Sequence, residues 1–231
     1  MISEGFTNAF SLLFSADPNV WGPIWVSLFV SVTATTISAA LAVPSGLLLG
    51  LGKFRLRRYL VTFINTMMAI PTVLIGLLIY ALLSRRGPLG DLDMLYTQSA
   101  MIAGEVLLAF PIMVGFCSAA VERSDPRIVQ TVLGLGGSRF RAAMSVAAEN
   151  RSALAAAVAA GFGRVFSEVG IAMMVGGNIK GQTRTITTGI AFETGKGEFA
   201  VGVALGIVLL VVALVLNLAV GTWNFRKDVR Q

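Results

Sequence analysis

Two charged side chains interrupt a stretch that is otherwise apolar. Between Ser152 and Ile179 the only ionisable residues are Arg164 and Glu168, and a spacing of i, i+4 places both on one face of a helix. A charge at the centre of a bilayer costs about 2.5–3.5 kcal/mol on insertion scales, so both are expected to face protein or water. Two chemistries fit this pair. An arginine guanidinium on the path of a tetrahedral dianion can donate several hydrogen bonds; Glu168 would then neutralise it when the anion is absent and keep the anion from being trapped. Alternatively, the pair is a buried ion pair that sets helix register. Glu105 is the only charge between Met94 and Val121. It could hydrogen-bond Arg164 across a helix bundle or sit in a wet cavity.

The rest of the composition says what solvent these residues meet. Of 231 residues, 55% are hydrophobic and 13% charged, and the mean hydropathy is +0.80. Soluble domains carry about 25% charged residues, and a soluble chain this apolar would expose aggregating patches. The expected solvent is therefore lipid. The net charge of +6 does not point to nucleic acid here, because the positive-inside rule accounts for it. Cys117 is the single cysteine and there is no histidine. That excludes an intrachain disulfide, a Cys/His metal site and any imidazole-based catalysis.

Charge-free runs place the elements. A spanning helix needs about 20 mostly apolar residues, which predicts an all-α chain with five spans near 24–51, 59–83, 99–121, 153–176 and 200–222. Residues 1–16 are too short and mixed to span, and suit an interfacial helix. The Pro71-Thr72 step and Pro111 are each expected to interrupt a span and free backbone carbonyls; such a kink lines a cavity or serves as a gate hinge, although for Pro111 alone an ordinary kink suffices. Gly46-x-x-x-Gly50 and Gly202-x-x-x-Gly206 predict close helix packing. Twelve of the eighteen basic residues fall on one side of this arrangement and five on the other, with Arg164 inside a span. This predicts the N-terminus outside and the C-terminus in the cytoplasm, with Arg85 and Arg86 on the less basic side.

Two connections are longer than a turn. In the cytoplasmic one, residues 122–151, Ser124-Asp125-Pro126 predicts a helix start with proline at its first position. A break at 134–137 follows, and Ser138 is placed to cap a second short helix from Arg139 to about Ala148. The external one, residues 177–198, is rich in glycine and threonine. Its Gly176-x-x-x-x-Gly181-Gln182-Thr183 nearly matches a phosphate-binding loop, but glutamine replaces the lysine and no strand precedes it. The chain is expected to hold no ATP site and no cofactor.

Two stretches carry a family resemblance. They are Arg164-Val165-Phe166-Ser167-Glu168-Val169-Gly170, running on to Gly177-Asn178-Ile179-Lys180-Gly181-Gln182-Thr183-Arg184-Thr185, and Ile70-Pro71-Thr72-Val73-Leu74-Ile75-Gly76, with the Gly87-Pro88-Leu89-Gly90 loop behind it. From Trp21 onward the chain resembles the membrane subunit of a type I ABC importer of the oxyanion branch, most like its tungstate-type permeases. The resemblance implies a non-catalytic permease subunit with a coupling-helix loop, importing tungstate, or alternatively molybdate or sulfate. It implies as partners cytoplasmic ABC ATPase subunits, an extracytoplasmic oxyanion-binding protein and a second copy of the chain in a prokaryotic inner membrane. In such a permease, the reading of the charges and the kink given above puts the translocation pathway at Arg164, Glu168, Glu105, Pro71 and Thr72, with the buried ion pair as the alternative for Arg164 and Glu168. ATPase docking falls at Gln130, Leu135, Gly136, Gly137, Ser138, Arg139 and Phe140, where Gln130 replaces the family's glutamate. The rival from another class is a secondary, ion-coupled anion transporter or channel subunit, in which Glu105 and Glu168 would relay protons. Such folds divide into inverted repeats, which five spans do not.

Overall fold

The structure, a computed structural model, describes residues 11, 12, 14, 15 and 17–228, with side chains as far as 218. The expected interfacial helix at 1–16 and Arg230 lie wholly or largely outside the described residues. In order, the helices are α1 (Pro18–Leu51), α2 (Arg57–Met68), α3 (Thr72–Leu83), α4 (Gln98–Glu122), α5 (Pro126–Gly134), α6 (Arg139–Glu149), α7 (Arg151–Phe166), α8 (Gly170–Gly176), α9 (Ile186–Gly195) and α10 (Phe199–Asp228).

Helices α1 and α4 form the central pair. They run side by side in the same direction: Val30 shares a cluster with Met101, Gly46 lies against Cys117, and Gly50 against Val121. The glycines are what allow this approach. A Cβ at Gly46 would fall 2.5 Å from Cys117 Cβ, and one at Gly50 would fall 2.8 Å from Val121 Cβ, so only hydrogen fits there. The second small-residue motif is half used: Gly202 faces Thr194, whereas nothing lies within 4 Å of a Cβ at Gly206.

Three helices, α1, α4 and α10, are long and apolar enough to span unbroken, while the expected second and fourth spans are bent pairs. Helices α2 and α3 meet at 94°. Pro71, at φ −59° and ψ 132°, explains that break, because proline drives the residue before it out of helical conformation and cannot donate to the ladder. Helices α7 and α8 meet at 56°, a break that no proline announces. Pro111 does not interrupt α4, nor do Pro23 and Pro44 interrupt α1. Each removes one hydrogen bond, and the packing of α1 along α4 holds the helices continuous across that loss.

At one end of the bundle, α5 and α6 form the segment between α4 and α7. Pro126 opens α5 after Asp125, whose side chain caps the helix, and Ser138 accepts from Arg141 N to cap α6. Helix α6 inserts Ala142 and Val146 into the bundle; α5 buries no residue. At the opposite end, the stretch 177–198 is not all loop. It contains α9, started by a reciprocal capping box between Thr185 and Thr188.

Candidate functional site

The site is built at the break between α7 and α8. The α7 ladder ends at Phe166, and Ser167, Glu168 and Val169 carry the chain round to α8. Glu168 therefore lies beyond α7 rather than on the same helix as Arg164, yet the pair forms. Arg164 Nη1 donates to Glu168 Oε2 at 2.6 Å. The other carboxylate oxygen, Oε1, accepts from Gly170 N at 2.7 Å and Ile171 N at 3.3 Å. Glu168 thus caps α8 and neutralises Arg164 together, with charge-assisted bonds worth about 1.5–3 kcal/mol each. The two side chains differ in access: Glu168 is 2% exposed and Arg164 39%. One guanidinium nitrogen is committed to Glu168 while the others remain open to a ligand.

The two broken spans meet here. A Cβ on Gly170 would lie 3.0 Å from Thr72 Oγ1 and 3.1 Å from Glu168 Oε1, so the start of α3 abuts the start of α8. Gly76, one turn further along α3, lies against Ile171 and Met174. Pro71-Thr72 and Arg164-Glu168, 92 positions apart in sequence, are thereby brought to one place. Glu105 is near but separate. It is 2% exposed and has no ion pair with Arg164, so the expected hydrogen bond across the bundle is not formed; its Oε2 has no partner.

The residues that hold the break in place lie in the Gly/Thr-rich connection, which the sequence marked by family resemblance at 177–185 without giving its threonines a role. Thr187 Oγ1 donates to the Glu168 carbonyl at 2.6 Å, and Ile186 N donates to Ser27 Oγ at 2.7 Å, tying α9 to α1. Thr183 Oγ1 donates to Gly176 O at 2.5 Å and accepts from Ile179 N at 3.0 Å, closing the loop that Gly177 enters at φ +70°. Further out, Arg184 Nη1 donates to Glu193 Oε1 at 2.8 Å, and Arg184 and Lys196 both contact the Phe192 ring. The repeated threonines were the available signal, since their hydroxyls compete for backbone partners at helix starts and turns.

An open cleft of about 440 Å³ lies beside α8, lined by Tyr80, Tyr96, Met173, Met174, Gly177 and Ile179. No cation faces it, so it is not the place for an anion. Among the described residues, no group of three or more His, Cys, Asp or Glu is arranged to hold a metal ion.

At the α5–α6 end, Leu135 is 83% and Phe140 74% exposed. They flank the turn in which Gly136 takes φ +81° and Gly137 N bonds back to Val132 O at 2.8 Å. Asn150 Nδ2 donates to Ser124 Oγ at 2.6 Å, closing the base of this segment. Arg57 pairs with Glu122 and also donates to Leu49 O, which fastens the ends of α1, α2 and α4 together.

Residues 42–227 match the family of binding-protein-dependent transport system inner membrane components. The chain belongs to this family. This permease is 41% identical, over 94% of its length, to a tungstate uptake system permease protein of Peptoclostridium acidaminophilum, covering 95% of that protein. It is equally 41% identical over 94% of its length to a tungstate uptake system permease protein of Campylobacter jejuni, covering 90% of it. Its fold is similar to that of the MetNI methionine ABC transporter in inward-facing form, with a TM-score of 0.70 at 13% identity, over 88% of this chain and 93% of that one. The all-α architecture is thus the type I ABC permease fold, and the chain is a membrane transport component.

Proposed function

We propose that two copies of this chain form the pore of an ATP-driven importer that carries tungstate into the cytoplasm. The observation that carries the cargo assignment is the 41% identity, over nearly the whole chain, to two tungstate uptake permeases. The geometry of the break supports it. An arginine with open donors, set in a membrane-buried helix break, suits a tetrahedral dianion. Glu168 holds Arg164 when no anion is present and repels the anion enough to let it leave. Pro71 and Thr72 bring the second break against this pair and serve as its hinge, while Glu105 sets the charge behind it.

The α5–α6 segment is the ATPase docking surface. Leu135 and Phe140 stand out as apolar anchors beside Gly136, Gly137 and Ser138, with Arg139 next to them and Gln130 one turn before. Closure of the ATPases would push on this segment and, through α6 and α4, reorient the paired spans. The N-terminus lies outside with α9, facing an oxyanion-binding protein, and α5–α6 lie in the cytoplasm with most of the basic residues.

The test is co-reconstitution of the chain with its ATPase and binding protein in proteoliposomes. Tungstate is expected to accumulate only with ATP. Accumulation of molybdate or sulfate in preference to tungstate would overturn the cargo assignment. Uptake by the chain alone on an ion gradient would overturn the ATP-driven mechanism.

A further inference from the structure

The charges inside the spans do not balance. The spans at 24–51, 59–83 and 200–222 carry none; the one at 99–121 carries Glu105, and the one at 153–176 carries Arg164 and Glu168. The formal sum is one negative charge per chain. Arg164 and Glu168 satisfy each other, and α8 caps Glu168 besides. Glu105 is left over, 2% exposed, with Oε2 unpartnered. An uncompensated carboxylate at such a position is strongly unfavourable.

Among the described residues, the two other unpartnered buried side-chain oxygens in the spans of the central pair belong to Thr35 and Ser38 of α1. The α1–α4 register, fixed by Val30 with Met101 and Gly46 with Cys117, sets Glu105 level with Ala34. Thr35 and Ser38 follow within the next turn of α1. Both are buried, and Thr35 Oγ1 and Ser38 Oγ have no hydrogen-bond partner. Hydroxyls in helices commonly bond back to the preceding turn, as Thr36 and Ser45 do on the exposed face of this helix. All three unpartnered oxygens are hard donors, and the one on the carboxylate carries the excess negative charge. The single charge to be balanced selects a monovalent ion. Among the described residues, Glu168 and Arg164 of the α7–α8 pair are charged groups that act on Glu105; α1 has no charged residue and contributes hydroxyls alone.

We propose that Glu105, Thr35 and Ser38 bind one alkali cation within each chain, between α1 and α4. The ion would neutralise the protomer interior behind the helix break and lock the α1–α4 register. This assignment does not depend on the cargo or on Arg164 lying on its path.

The test is the thermal midpoint of the full chain in nanodiscs, titrated with NaCl, KCl or LiCl against choline chloride at constant ionic strength. At tenfold excess over its dissociation constant, the bound ion is expected to raise the midpoint by about 3–6 °C. Glu105→Gln is expected to abolish the rise, and Ser38→Ala to increase the half-effective concentration about tenfold. If E105Q does not fold, S38A decides alone, and an unchanged half-effective concentration overturns the site. An absent rise in the unaltered chain, or an equal rise in E105Q, also overturns it. So does a midpoint that follows pH but not the alkali ion, which would give the charge to a proton.

Discussion

Thr187 on α9 donates its hydroxyl to the backbone carbonyl of Glu168 at 2.6 Å. The bond joins a helix at one end of the bundle to the break that holds the intramembrane ion pair. A carbonyl freed where a helix stops must find a donor in a medium without water, and Thr187 is that donor. Thr187→Val keeps the shape and removes the hydroxyl, leaving the carbonyl unsatisfied at about 1–3 kcal/mol. The expected result is a thermal midpoint lower by several degrees, with Thr187→Ser close to the unaltered chain.

The roles of Arg164 and Glu168 separate in a double-mutant cycle. Glu168→Gln retains an oxygen to cap α8, whereas Arg164→Ala leaves a buried carboxylate with backbone donors alone. Arg164→Ala is expected to lower tungstate uptake at least tenfold, and Arg164→Ala with Glu168→Gln to recover stability without recovering uptake. Recovery of both, measured by thermal midpoint and proteoliposome uptake, would reduce the pair to a structural one.

Gly46 is predicted to be the least tolerant glycine of the central pair. Gly46→Ala places a methyl 2.5 Å from Cys117 Cβ, and overpacking of this kind costs about 1–3 kcal/mol. A lower midpoint for the single variant, partly restored by Cys117→Gly, checks the contact.

Cys117 lies fully buried against α1. A membrane-permeant maleimide is expected to leave it unlabelled in the folded chain and to label it fully after denaturation. Labelling of the folded chain would show that the α1–α4 seam opens.

Leu135→Ser and Phe140→Ser remove exposed apolar surface without touching the bundle. Each is expected to leave stability within about 0.5 kcal/mol of the unaltered chain and to reduce co-purification of the ATPase subunit severalfold.

Much of this architecture was legible residue by residue. Pro71 announced the bend between α2 and α3 because its ring forbids the helix to continue, and Pro126 and Ser138 announced α5 and α6 because their chemistry suits helix starts. The same reasoning misjudged Pro111, since a single lost hydrogen bond is outweighed by packing that the sequence does not display. The break at Ser167–Val169 has no proline and no local signal. It exists because Glu168 finds backbone donors at the start of α8 and Thr187 accepts the task of satisfying the freed carbonyl, and both partners are set by tertiary placement.

By itself, the sequence determined the solvent, the approximate spans, the isolated charges Arg164, Glu168 and Glu105, and the family. These follow from composition, run length and motif, which are local quantities. Only the tertiary structure decided that the two helix breaks meet, that Arg164 keeps Glu168 rather than Glu105, and that Thr35 and Ser38 are buried without partners on the helix packed beside an unpaired carboxylate. Those facts depend on the register between helices far apart in the chain, fixed by close packing at Gly46, Gly50 and Gly170, where a single methyl group would change the distance.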